Sequence, residues 1–425
     1  MKSDITNGSS LDAAAAARAL GVTRATLYAY VSRGLIRSEP GSEDTRARRY
    51  ARDDVDRLRR RAEERRDPRA VAAHALQWGM PVLESSITLI ADDTLFYRGQ
   101  DAVALAMNES VERVASLIWT GRLDDRLPAR THSSTSRTRR PHNRSRATRD
   151  PFILRAQAAL ALASSADTHA FDLRPAAVAR TGWRILDLLV GTAAPRAHGE
   201  RVDAALARGW RVQGGGQDVI RASLILCADH ELNVSAFTAR CVASAGSHPY
   251  GVVIAGLAAL EGVKHGGSTA RVESFLAATR RERSLRTALT ARLRQGQRID
   301  GFGHPLYGDG DPRAAALIQM LGERYARSPE FRFVRDFARV ATSLTGEKPN
   351  VDFALAAVSR VLALPASSAL TIFAIGRTIG WIGHAIEQYA VDQIIRPRAR
   401  YVGVSPGDIS ATASNKSLPD GGGAS

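Results

Sequence analysis

An all-α fold is what this sequence predicts, and three observations carry the prediction. Ala, Leu and Arg are abundant while aromatics make up 6% of the 425 residues, and such residues lose little rotamer freedom in a helix. From Phe152 onward, block after block repeats apolar residues at helical spacing. Strand-like and helix-like segments do not alternate along that stretch, which argues against a parallel-sheet architecture. With 44% apolar residues the chain can build a sizeable core, and its length suits two or three domains.

The elements can be placed in chain order. SSLDAAAAARALG, residues 9–21, reads as a short helix with Ser9 or Ser10 as N-cap, Asp12 in the first turn and Gly21 in the left-handed position that ends helices. Thr23 caps a second helix, ATLYAYVSR, which Gly34 stops. A connection of about three residues containing Gly is what a helix-turn-helix requires. Leu20, Val22, Leu27, Val31, Leu35 and Ile36 are the candidate shared core. A polar turn, a basic cluster and a further helix carrying Val55 and Leu58 follow.

A larger unit begins between residues 70 and 120. MPVLESSITLIADDTLFYRGQDA alternates, then gives way to a helix, ALAMNESVERVASLIWTG. Residues 129–149 have no apolar period and are rich in Ser, Thr, Arg and Pro, so they read as a basic disordered insertion. Helical blocks then run to about residue 400, and the Gly-rich end, SNKSLPDGGGAS, reads as a loose tail.

Charge is unevenly spread. Of the net +16, residues 1–70 carry +5 and residues 121–150 carry +6. Such patches attract polyanions, nucleic acid or phosphorylated cofactors among them, although an Arg-rich solvated surface would look the same. Cys227 and Cys241 belong to no CxxC or Cys/His cluster, so they are expected to be buried thiols, and no metal site is expected. The polar start has no apolar segment behind a basic one, and no run approaches the roughly 18 apolar residues of a membrane span. A cytoplasmic protein is expected.

Five segments place polar groups where apolar helices begin or end: ADHELNVSAFT with Asp229 and His230, GVKHGGS with His265, GFGHPLYGDGDPR with His304 and Arg313, KPNVDF with Asp352, and GRTIGWIGH with Arg377, followed by IIRPRARY with Arg396 and Arg398. Singly, each has a plain structural reading: a histidine before Gly-Gly or an aspartate after Pro-Asn is commonly a helix cap.

Together and in this order, the segments resemble the citrate synthase family over roughly residues 80–405. The shared motifs are Asp229 to Ser235, His-Gly-Gly at His265, Gly301 to His304 with Asp311-Pro312-Arg313, Pro349 to Phe353, and Arg377 to His384. The resemblance implies large and small helical domains, the small one spanning about 235–350, within a unit at 75–410 that leaves 411–425 as the tail. It implies condensation of acetyl-CoA, or propionyl-CoA in a 2-methylcitrate synthase, with oxaloacetate, without a tightly bound cofactor. Asp352 matches the base, His265 the donor at the thioester oxygen, and His304 the group that polarises the ketone. His230, Arg313, Arg377 and Arg396 match substrate ligands, the last donated by the other subunit of a homodimer. Two departures stand out: the loop PLYGDGD lacks a basic residue that many relatives use to hold the coenzyme, and Ala354-Leu355 replaces the family's Tyr-Ser.

Residues 9–67 resemble the MerR-type winged helix-turn-helix domain through Val22-Thr23, Thr26-Leu27, Tyr30, Gly34-Leu35-Ile36, Arg49-Tyr50 and Asp53-Asp54. This implies a small winged domain preceding the larger unit, with Arg24, Thr26 and Tyr28 near base edges or phosphates and Arg46, Arg48 and Arg49 on the DNA backbone. Tyr28 stands where that family commonly has arginine, and Ala29 where it has an aromatic residue. A protein-docking module is the alternative for this domain. For the whole chain, the alternative is a regulator that senses oxaloacetate or an acyl-CoA.

Overall fold

The computed structural model describes residues 10–40, 48–56, 58–59, 83–124, 150–195, 201–399 and 401–405. Arg46, the insertion at 129–149 and the tail at 411–425 lie outside them. The chain divides into two compact units, Met1–Glu84 and Ser85–Ser425.

In the first unit, β1 (Ser10–Leu11), β2 (Ser38–Pro40) and β3 (Arg48–Ala51) form an antiparallel sheet in the order β1-β3-β2, with Tyr50 opposite both Leu11 and Ser38. Between β1 and β2 lie α1 (Ala13–Leu20) and α2 (Arg24–Ser32). The cap of α1 is Asp12, whose carboxylate accepts from Ala15 N–H at 2.7 Å. Ser10 is in strand β1, and Ser9 is outside the described residues, so the expected serine cap is corrected. Gly21 closes α1 at φ 65°, and Thr23 caps α2 through Thr26 N–H at 3.2 Å.

Ala16, Ala17, Leu27, Ile36, Tyr50 and Val55 build the core, with Leu20 and Val31 at its edge. Leu35 is a second correction, being 40% exposed. It follows Gly34, which is left-handed at φ 70°; where the chain leaves the helix, neighbouring side chains diverge and Ile36 takes the inward place.

The second unit opens with a hairpin, β4 (Thr88–Ala91) and β5 (Thr94–Tyr97), extended by β6 (Gln100–Asp101). Asp92 and Asp93 turn it with φ of 49° and 56°, the sign that a tight two-residue hairpin turn demands. The helix expected over 104–121 is two: α3 (Ala102–Asn108) and α4 (Val111–Thr120). Glu109 is extended, and Ser110 caps α4 by accepting from Arg113 N–H at 3.2 Å.

Helices α5 (Phe152–Ala166), α6 (Pro175–Ala193), α7 (Val202–Gly209), α8 (Gly216–Leu226), α9 (Val234–Ser244), α10 (Pro249–Leu260), α11 (Gly267–Thr279), α12 (Leu285–Arg294), α13 (Pro312–Tyr325), α14 (Pro329–Thr345), α15 (Val351–Val361) and α16 (Ser368–Val391) complete the unit. They share one hydrophobic core with the hairpin. The 24-residue α16 is long and apolar enough to cross a membrane, contrary to the expectation that no such run exists, but 94% of its apolar window is buried. It packs against α6, α8, α9 and α10, the placement of a core helix. Gly376 and Gly380 let α16 approach the end of α8: a Cβ there would lie 2.5 Å from Leu224 O or 2.4 Å from Ala228 O.

Candidate active site

The loop GFGHPLYGDGDPR is built from backbone outward. Gly301 and Gly303 have φ of 89° and 77°, and a Cβ on Gly301 would press Phe353 Cβ at 3.0 Å. With those residues free of side chains, the turn pairs with the segment before α15. Gly303 N–H donates to Lys348 O and Asn350 N–H to Gly301 O, each at 2.9 Å, while Asn350 Nδ2 donates to Gly303 O at 3.0 Å. Two segments nearly fifty residues apart are thereby locked side by side, one carrying His304 and the other Asp352.

Asp311 adds a second lock. Its carboxylate accepts from Arg313 Nε at 2.9 Å and Nη2 at 2.8 Å, and from Val351 N–H at 2.9 Å. It thus joins the starts of α13 and α15. Both side chains of the Asp311–Arg313 pair are almost wholly buried, so the bidentate geometry is what keeps two charges tolerable there.

Three imidazoles surround this frame. His230 Nε2 lies 2.8 Å from Tyr307 Oη, and its ring meets that of His304 edge-on at 5.1 Å. Leu306 N–H donates to His304 Nδ1 at 3.1 Å, so neutral His304 carries its proton on Nε2. Burial, then the charges of Arg313 and Arg377, push His230 well below the usual imidazole range. Burial followed by Arg313 brings His304 down to about 4, and burial followed by Arg377 does the same for His265.

His265 precedes α11, and its Nε2 lies 2.8 Å from Ser235 Oγ. Ser235 Oγ donates to Asn233 Oδ1 at 2.8 Å and receives Trp381 Nε1 at 3.2 Å. Arg377, 1% exposed, donates from Nε to Cys227 O at 2.8 Å and covers the Phe373 ring at 4.9 Å, while the His265 ring meets the same phenylalanine at 5.9 Å. Asp229 is fully buried and takes hydrogen bonds from Thr88 Oγ1 at 2.6 Å and from His384 Nε2 at 3.1 Å. It precedes His230 in the chain and acts electrostatically on Arg377.

Asp352 stands in the first turn of α15, behind the Asn350 cap, where the helix dipole favours a carboxylate. Thr269 Oγ1 donates to its Oδ1 at 2.6 Å. Burial pushes this carboxyl above the ordinary range, against hydrogen bonds from Thr269 and Ser268 and the charge of Arg313.

His230, His265, His304, Asp352, Arg313 and Arg377 are therefore linked by direct contacts, shared partners or mutual fields. Arg396 is not among them: it is exposed on the stretch after α16, where Ile395 N–H donates to Ser244 Oγ at 3.0 Å. Sequence reasoning gave no role to Tyr307, Ser235 or Thr269. The first two lay inside quoted motifs, whereas Thr269 carried no signal beyond being four residues after His265. Among the described residues, no group of His, Cys, Asp and Glu is arranged to hold a metal ion.

In the first unit, Arg24 and Tyr28 are exposed on α2, and Thr26 Oγ1 sits 3.0 Å from Thr23 Oγ1. Arg48 is exposed and donates to Ser38 O at 3.3 Å. Arg49 is half-buried and holds Ser10 through Nε at 3.0 Å and Nη2 at 3.3 Å, a tether between β1 and β3.

Neutral imidazoles, a half-buried carboxyl and buried guanidinium groups in a helical frame define a class: an acid–base site suited to a small polycarboxylate. The chain belongs to the citrate synthase family and is a citrate synthase-type enzyme, the model described as citrate synthase, C-terminal domain, matching residues 75–398. Residues 12–62 match the model described as MerR HTH family regulatory protein. Citrate synthase 2 of Bacillus subtilis is 31% identical over 351 residues, 76% of this chain and 94% of that protein. The 2-methylcitrate synthase of Shewanella oneidensis is 35% identical over 191 residues, 44% of this chain and 51% of that one. Citrate synthase from Thermoplasma acidophilum, solved as a ternary complex with carboxymethyl coenzyme A and oxaloacetate, shares the fold at 22% identity and a TM-score of 0.65, covering 77% of this chain and 95% of that one.

Proposed function

We propose that this protein condenses acetyl-CoA with oxaloacetate, releasing citrate and CoA through an enol or enolate and hydrolysis of citryl-CoA. The observation that carries the reading is that the Asp352 carboxyl is fastened by Thr269 to the helix that follows His265, while the glycine turn holds His304 beside the same helix start as Asp352. Asp352 removes a proton from the thioester methyl. Burial makes it a stronger base than an ordinary aspartate, which suits a weak carbon acid.

His265 stabilises the enol oxygen. It does so as the hydrogen-bond donor to that oxygen. His304, neutral with its proton on Nε2, polarises the ketone of oxaloacetate. Among the described residues, the Arg377 guanidinium makes one hydrogen bond, from Nε, which leaves its terminal nitrogens for a substrate carboxylate. Arg313, braced by Asp311, and His230 complete the set, and Arg396 is assigned to the site of a second copy in a homodimer. Propionyl-CoA is the second acyl donor to consider, supported by the match to a 2-methylcitrate synthase and by Ala354-Leu355 beside Asp352.

The test is CoA release from the purified protein with oxaloacetate and either thioester. Wild type is expected to release CoA, and Asp352→Asn to lose about 10²–10⁴-fold, the usual worth of a positioned general base. Equal rates for the two proteins would remove Asp352 from the role. The first unit is assigned to duplex DNA, on the strength of its match over residues 12–62 and the exposed Arg24, Tyr28 and Arg48.

A further inference from the structure

We propose that Thr269 is a positioning residue for the Asp352 carboxylate, its hydroxyl fixing the rotation of that group and moderating its basicity. The inference rests on the reading of Asp352 as the base. Thr269 is fully buried in the first turn of α11. A threonine there would ordinarily turn its hydroxyl back onto a carbonyl of its own chain, one turn earlier. This one instead reaches across to α15 and donates to Asp352 Oδ1 at 2.6 Å, the short distance of a charge-assisted bond. A carboxylate pivots freely about its last torsion, which is broad and two-fold. One oxygen held by a buried donor stops that pivot and leaves the remaining face for the substrate methyl.

The same bond couples two helices that must act together. Thr269 N–H donates to Gly266 O at 3.0 Å, so the hydroxyl is rigidly placed relative to His265. Any displacement of α15 is thus felt at the turn that carries the proposed enol-stabilising imidazole. Other groups face Asp352 as well. Ser268, beside Thr269, adds a second hydroxyl, Arg313 and Asp311 act on it from the start of α13, and the Cys227 thiol senses it from the end of α8. Burial works against the charged form, and the hydroxyls and Arg313 work for it. Deleting the Thr269 donor therefore raises the carboxyl further.

Thr269→Val keeps the shape and removes the donor; Thr269→Ser keeps the donor. In the full-length protein, Thr269→Val is expected to lower kcat about tenfold, with KM for oxaloacetate changed by less than about twofold, and to move the acid limb of kcat/KM to higher pH. Thr269→Ser is expected to recover most of kcat and the wild-type limb, which a purely structural role of the methyl group would not allow. Independently of turnover, the Asp352 carboxyl can be titrated in the ligand-free protein by carbon NMR on ¹³C-aspartate-labelled samples, with Asp352→Asn assigning the signal. Its midpoint should rise in Thr269→Val and not in Thr269→Ser.

An unchanged carboxyl midpoint, or a wild-type acid limb in Thr269→Val, overturns the proposal. A wild-type protein silent with both thioesters instead overturns the reading of Asp352 as base, and the NMR titration still decides whether Thr269 governs the carboxyl.

Discussion

Burial and the Arg313 and Arg377 charges press His265 and His304 in the same direction, bringing each down to about 4 from the ordinary imidazole value of 6.5. In the unfolded chain both imidazoles take up protons near that ordinary value, so between about 6.5 and 4 the unfolded state holds more protons than the folded one. Stability is then fully present above that window and is lost as pH falls through it. His230, pushed well down for the same reasons, adds to the loss. The expected outcome is a melting temperature that falls steeply on acidification across the window, and less steeply in His304→Asn, whose side chain has no such proton to gain. Parallel curves for the two proteins in calorimetry would remove His304 from this account. The positions of these histidines, Asp352 and Arg313 stood out in the sequence because each sits in a motif near a helix boundary, whereas Arg377 lies midway along α16 and stood out by its motif alone. Thr269 and Tyr307 were not, since what makes them matter is a partner on another element, Asp352 or His230, and no spacing along the chain encodes that.

At the level of elements, the site depends on how closely α16 crosses the end of α8. Gly380 is the tightest point: a Cβ there would lie 2.4 Å from Ala228 O and 2.5 Å from Asp229 Oδ1, and neither backbone nor a fully buried aspartate can give way cheaply. Gly380→Ala is expected to cost about 1–3 kcal/mol in chemical denaturation, as overpacking does. CoA release should fall as well, because the strain falls on the residue preceding His230. Gly191→Ala in α6 is the control, with open space around the added carbon and a helical backbone. It should be neutral or slightly stabilising. If both variants melt alike, close approach is not what Gly380 provides. The sequence showed most helices through their apolar period but misjudged their ends. Asp12 rather than a serine caps α1, and Ser110 starts a new helix inside an apolar run, because capping is settled by which side chain reaches a free N–H in three dimensions. The alternation over residues 80–102 was visible, whereas its closure into a hairpin depended on two aspartates taking positive φ.

For the whole molecule, the order of a helix-turn-helix unit followed by a helical enzyme unit was readable because each part carries its own pattern, and the two matching models fall in that order. What charge alone left open, nucleic acid or merely a solvated Arg-rich surface, is a question of salt dependence. A protein that neutralises phosphates releases counterions, so its affinity for duplex DNA falls with salt along a log–log slope of about −0.9 per phosphate contacted. Full-length protein titrated into a labelled duplex should show such a slope. Within the unit, the two wing arginines should behave differently. Arg48 is exposed and, among the described residues, bonds only a strand carbonyl, so Arg48→Ala should weaken binding, flatten the slope by about one contact and leave melting unchanged. Arg49 ties β3 to Ser10, so Arg49→Ala should lower the stability of the unit as well as affinity. Binding that is absent at low salt, or that ignores both substitutions while wild-type CoA release persists, would make this unit a protein-docking module instead.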